Sequence, residues 1–137
     1  IRKYAKMAYI DDYIMTLPNK YDTILGEGGV NLSGGQKQRL SIARAIVKQP
    51  EILIFDDASS ALDLVTEAKL YKAMREHINN TTRIVVAQRV ATAKNADKII
   101  VLDGGEIVDF DTHENLLANC EVYQDIYNSQ LKREGDK

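Results

Sequence analysis

The chain has one cysteine and two histidines in 137 residues. A lone thiol, Cys120, excludes an internal disulfide framework and a cysteine-rich zinc site, and it fits a reducing compartment. The histidines, His77 and His113, form neither a cluster nor an HExxH spacing, so no zinc site is expected. His77 falls late in a helical pattern, where a contact with the helix dipole is the simpler role. No apolar run approaches the roughly 18 to 20 residues that span a bilayer, and no charged-then-apolar signal segment opens the chain. The piece reads as soluble. An excess of positive charge is lacking too: 18 basic residues face 20 acidic ones, for a formal net charge of -2. Without a global positive field, binding to nucleic acid or to anionic lipid is not expected.

What is present is an ordinary core, since 45% hydrophobic residues suit one modest globular domain. Tyr4, Met7, Ala8, Ile10, Ile14 and Leu17 recur at near-helical spacing, which predicts a helix from Arg2 to Leu17, closed by Pro18. The pattern is already helical at Ile1, with no opening methionine, as in a piece cut from a longer protein. Between Tyr21 and Leu32 three glycines, Gly26, Gly28 and Gly29, break any periodicity and predict an ordered loop. Ser33 with Gln36 three residues later is a capping-box pattern, and Leu40, Ala43, Ile46 and Val47 give the helix it opens a buried face.

Pro50 ends that helix. Ile52 to Phe55, Arg83 to Ala87 and Lys98 to Leu102 are short apolar runs of the kind buried on both faces of a sheet. Between the first two, Asp63 can cap a helix with Leu70, Met74 and Ile78 on one side. Strand, helix, strand implies a parallel sheet. Asp103-Gly104-Gly105-Glu106 predicts a tight hairpin that adds EIVDF antiparallel at one edge. Two helical stretches follow, from about Thr112 and Glu121, before the charged tail of residues 132–137, which is expected to be mobile.

Two stretches carry chemistry. LSGGQKQRLSIARA, Leu32 to Ala45, is a capped helix whose glycine-rich start leaves N–H groups free at its positive end, which makes a phosphate receptor; a lone pair of glycines, by itself, is better read as a loop that turns a corner. ILIFDDASSALD, Ile52 to Asp63, ends an apolar strand in two adjacent carboxylates, Asp56 and Asp57. In this order the set resembles the nucleotide-binding domain of ATP-binding cassette (ABC) transporters. LSGGQ looks like the signature motif, ILIFD like the Walker B strand and SALD like the D-loop. TILGEGG, Thr23 to Gly29, is similar to the exporter loop that senses the coupling helices of the transmembrane domain, with Glu27 at its acidic position.

The resemblance implies an α/β fold: part of a P-loop NTPase (RecA-like) ABC ATPase domain, with a parallel sheet flanked by helices and part of the helical subdomain. No GxxxxGK[ST] occurs, so the Walker A half is absent and the piece alone should be inactive and bind ATP weakly. The implied division is a helical, signature-bearing part at 1–49 and a Walker B, D-loop and switch part at 50–131. Missing a neighbouring strand, the piece is also expected to self-associate.

By the same resemblance, the cofactors are ATP and Mg²⁺. Asp56 is the metal carboxylate, and Leu32, Ser33, Gly34, Gly35, Gln36 and Asp63 bind nucleotide. Two positions depart from the family. Asp57 stands where hydrolysing members carry glutamate as the base for the attacking water, and it is one methylene shorter. Gln88, in VVAQRVAT, stands where a histidine contacts the γ-phosphate, and an amide cannot carry a proton charge near neutral pH. Together they imply a degenerate hydrolysis site. The intact signature would serve a partner's site, in a heterodimer of two nucleotide-binding domains joined to transmembrane domains.

That reading is a multidrug-type exporter ATPase at the cytoplasmic face of the membrane. The D-loop surroundings, Ala58-Ser59-Ser60-Ala61-Leu62-Asp63, resemble those of exporters rather than importers. A nucleotide-gated interaction module that dimerises without transporting anything is the alternative. Cargo and partner identity are not encoded in these residues.

Overall fold

Residues 1–135 are described by a computed structural model, and they divide into two compact units that meet at Val86 and Ala87. The first unit opens with two short helices, α1 (Arg2–Met7) and α2 (Asp11–Thr16), in place of the single helix expected from periodicity. Tyr9 turns left-handed at φ 54, and the Ile10 N–H donates back to the Ala5 carbonyl at 3.0 Å, which closes α1. The reason for the break is tertiary. In one straight helix Arg2 and Asp11, nine residues apart, would be separated by roughly 13 Å along the axis. The bend brings them together, so that Arg2 Nε donates to Asp11 Oδ1 at 3.0 Å and the Tyr21 hydroxyl donates to the same oxygen at 2.5 Å.

Asp11 is buried, and these partners decide its charge state. The Tyr21 hydrogen bond, followed by the Arg2 contacts, holds its carboxyl below the usual carboxylate range, while burial and Asp11 push the Tyr21 hydroxyl up to about 12. The loop from Tyr21 to Leu32 is ordered by two 3₁₀ turns, Lys20–Asp22 and Glu27–Gly29, with Gly28 and Gly29 both at positive φ.

Helix α3 (Gly34–Ile46) buries Ile42, Ala43 and Ile46. Past its end Gln49 turns left-handed at φ 48, and Pro50 prevents further helix. Strand β1 (Ile52–Asp56), helix α4 (Leu64–His77) and strand β2 (Thr82–Val86) follow, and β1 pairs parallel with β2, Ile54 opposite Ile84. The core of this unit gathers Ile10, Ile46, Leu53, Phe55, Leu70 and Met74, with Phe55 edge-on to Tyr71 at 5.9 Å. Complete burial of a side chain such as Leu70 or Met74 contributes about 1.5–3 kcal/mol.

The expectation of strands covered on both faces is corrected here. Leu53 and Phe55 point into the core, but Ile52, Ile54, Ile84 and Val86 on the other face are 48–63% exposed. Helices within the first unit cover one side of the sheet only.

The second unit holds α5 (Val90–Ala93), β3 (Ile99–Asp103), β4 (Glu106–Asp111), α6 (His113–Asn119) and α7 (Glu121–Gly135). Its core is Val90, Ile99, Val101, Leu116, Cys120 and Tyr123. Gly104 and Gly105, at φ 56 and 86, supply the two left-handed residues that a tight hairpin needs. β4 pairs antiparallel with β3, with an irregularity between Val101 and Leu102. Within the second unit the two strands form a two-stranded sheet. Helix α7 continues to Gly135, into the stretch read as a charged tail, and residues 136–137 lie outside those described.

Candidate functional site

In the first unit the start of α3 and the turn after β1 lie against each other. Ser33 caps α3 by accepting from the Gln36 N–H at 3.2 Å, and Gln36 Oε1 accepts from the Ser33 N–H at 2.9 Å. This reciprocal cap, anticipated from Ser33 and Gln36, consumes two of the donors at the helix start and leaves the N–H groups of Gly34 and Gly35 for an external acceptor. Both glycines face Ala61. A Cβ on Gly35 would stand 3.1 Å from the Ala61 carbonyl oxygen, and one on Gly34 would stand 3.6 Å from the Ala61 Cβ. Any side chain at position 35 would therefore push on backbone. The result is a bare, positively polarised helix end, with Leu32 half-buried behind it, into which an anionic group such as a phosphate fits.

Asp56 closes β1 and is exposed, as is Asp57 beyond it. Asp57 adopts φ 49, a left-handed conformation that costs an L residue roughly 1–2 kcal/mol. Its carbonyl is held by several donors: Gln38 Nε2 at 3.2 Å, Ser60 Oγ at 3.1 Å and the Ser60 N–H at 3.4 Å. Further along the turn, Ser59 Oγ donates to the buried Glu67 of α4 at 2.6 Å. Asp63 caps α4, accepting from the Thr66 N–H at 2.9 Å and from its hydroxyl at 2.7 Å, and the Thr66 hydroxyl and N–H hold its carboxyl below the usual range.

No group of three or more His, Cys, Asp or Glu side chains comes together among the described residues. A donor set of one carboxylate, Asp56, with Asp57 beside it suits Mg²⁺, which keeps several waters and takes its remaining ligands from substrate phosphates. Gln88 belongs to the second unit, where its backbone carbonyl accepts from Gln130 Nε2 at 2.9 Å while Gln130 Oε1 accepts from the Val90 N–H at 2.9 Å. The structure thus brings Ser33, Gly34, Gly35, Gln36, Asp57 and the 58–63 turn into one neighbourhood of the first unit.

Sequence reasoning gave no role to Gln38 or Glu67 and read Ser59 only as part of the D-loop surroundings. Gln38 lies four residues after Gly34, hence on the same helix face, and that spacing was the available signal. A concavity of about 660 Å³ opens between α1, α2, α3 and the glycine loop, lined by residues such as Ile14, Leu25, Leu40 and Val47 and by neither aspartate. No helix among the described residues is long and apolar enough to cross a membrane.

A family model described as ABC transporter matches residues 5–60. YfiB of Bacillus subtilis, described as an uncharacterized ABC transporter ATP-binding protein, is 50% identical over 133 residues, 97% of this chain and 23% of that protein. An ATP-dependent lipid A-core flippase of Acinetobacter baylyi is 53% identical over 119 residues, 87% of this chain and 21% of the flippase. Among solved structures, a bacterial Atm1-family ABC exporter with ATP bound superposes with a TM-score of 0.88 at 43% identity, covering 95% of this chain and 23% of that one. The chain spans just under a quarter of the length of these relatives.

Proposed function

The chain belongs to the ABC transporter family, as part of a nucleotide-binding domain of exporter type, and from that premise we propose that it serves the ATPase motor of a membrane exporter. In this reading the domain sits at the cytoplasmic face, joined to a transmembrane domain and paired with a second nucleotide-binding domain. Residues 1–49 carry the signature and residues 50–131 the carboxylates and the switch segment. The family hydrolyses ATP, with Mg²⁺, to drive transport.

The observation that carries the proposal is the start of α3. Its cap is complete, its two glycine N–H groups are uncommitted by that cap, and the Asp57–Asp63 turn packs beside it. Ser33, Gly34, Gly35 and Gln36, with Leu32 behind them, would receive the phosphates of a nucleotide held by the partner domain, and Asp63 would meet the same nucleotide from the end of the turn. Asp56 would hold Mg²⁺ at this subunit's own nucleotide, with Asp57 and Gln88 at the position of the attacking water. A carboxylate one methylene short and an amide in place of imidazole both weaken proton removal, and a displacement on the order of 1 Å can cost ~10²-fold.

The pair is therefore an asymmetric heterodimer. The partner's site, completed by this signature, turns over, and this subunit's own ATP is held as a slow clamp. Steady-state ATPase of the full-length protein with its partner tests this. Ser33→Arg, which fills the phosphate-facing helix end, is expected to abolish turnover, while Asp57→Ala leaves most of it. Equal loss in both variants would make Asp57 a working base and favour a symmetric homodimer. A full-length protein that dimerises on ATP but moves no cargo across a membrane would instead be a nucleotide-gated interaction module.

A further inference from the structure

We propose that Gln38 is a positioning residue that locks the turn after β1 to the start of α3, so that the two composite nucleotide sites this chain contributes to move as one. The idea rests on the reading above and deepens it. Gln38 is half-buried on α3, one turn after Gly34. Its single amide makes three bonds to the turn: Nε2 to the Asp57 carbonyl at 3.2 Å, Nε2 to Ser60 Oγ at 3.0 Å, and Oε1 from the Ala61 N–H at 3.0 Å. Both faces of the amide are used, which fixes its orientation: the nitrogen meets acceptors and the oxygen meets a donor.

Besides this amide, the turn meets α3 through Leu62, which is buried in the core beside Gly35. Gly34 and Gly35 offer it no side chain, and Ser60 bonds back within the turn itself. On the other side Ser59 ties it to α4 through Glu67. Asp57, meanwhile, sits in a left-handed conformation that persists only when its surroundings over-determine it. The carbonyl that Gln38 grips is that of Asp57 itself. A shift of α3 toward or away from a nucleotide at Gly34 and Gly35 would therefore be handed directly to the backbone of the residue facing the other nucleotide.

Two variants of the full-length protein with its partner test this. Gln38→Ala removes all three bonds, and Gln38→Glu keeps only the acceptor for the Ala61 N–H. The expected result for Gln38→Ala is a kcat reduced about tenfold with KM for ATP within about twofold, because loosening the turn from α3 misplaces Asp63 and the α3 start at the partner's site that turns over, and misplacement of a positioned group acts on the transition state more than on ground-state binding. Gln38→Glu should lose less. Hydrogen exchange of the peptide spanning residues 57–63 should rise in Gln38→Ala and rise less in Gln38→Glu, which keeps the Ala61 bond, with exchange elsewhere in α3 unchanged as the control for folding. An unchanged kcat, a loss confined to KM, or unchanged exchange in that peptide overturns the proposal. A wild-type protein that does not hydrolyse ATP would sink the exporter-motor reading instead, and the exchange measurement alone would then decide for or against Gln38.

Discussion

At the scale of single residues, two adjacent carboxylates turn out to have different backbones. Asp56 is the last residue of a strand, whereas Asp57 is already turned left-handed, so the two side chains leave the chain in different directions. If reach is what limits Asp57, lengthening it should help. Asp57→Glu is expected to raise the kcat of the full-length pair, and Asp57→Glu with Gln88→His to raise it further, as read by steady-state phosphate release. A fall in kcat on adding the methylene would mean that the short side chain is itself the fitted one. Much at this scale was legible beforehand. The Ser33–Gln36 cap and the Asp63 cap follow from local chemistry, since each bonds within three residues. Asp57 φ and the grip of Gln38 were not legible, because they depend on bonds spanning 19 to 23 residues that no local pattern announces.

At the scale of elements, helix α3, strands β1 and β2 and the glycine hairpin were readable because periodicity and turn chemistry agree with the packing there. The break between α1 and α2 was not, because the apolar spacing from Tyr4 to Leu17 is compatible with one helix and only the buried Asp11, with Arg2 and Tyr21, selects two. A comparable carboxylate anchors the second unit. Asp111, at the end of β4, accepts from Lys98 Nζ at 2.8 Å, from the Thr112 N–H at 2.8 Å and from Asn115 Nδ2 at 2.9 Å, tying the hairpin to α6. The Lys98 hydrogen bond, then those of Thr112 and Asn115, bring its carboxyl from 3.8 down to about 2. A carboxyl that is more acidic folded than unfolded adds stability that is complete above its unfolded value and disappears as pH drops through the folded one. Thermal unfolding should therefore show part of its acid sensitivity between pH about 4 and about 2, and Asp111→Asn should flatten that part of the profile. A variant curve parallel to wild type throughout would show that Asp111 does not carry it.

At the scale of the whole molecule, the parallel pair β1–β2 has Ile52, Ile54, Ile84 and Val86 exposed on one face, and β3–β4 exposes Ile100, Leu102, Ile107 and Phe110. Parallel sheets are ordinarily covered on both faces, and unpaired strand edges template further pairing. The isolated chain is therefore expected to associate with itself as concentration rises. Sedimentation velocity should show this, and Ile54→Lys with Ile84→Lys should return it toward monomer while leaving the helical circular dichroism intact. A monomer at all concentrations would count against it. A different consequence follows from the buried position of Cys120 among Leu116, Val90 and Tyr123. Because it is the only thiol in the chain and is nearly buried, a thiol-specific reagent labels it chiefly when the second unit opens. The rate of thiol labelling is thus an internal clock for breathing of the second unit alone, readable by mass without introducing any probe, while the first unit with its signature helix stays silent.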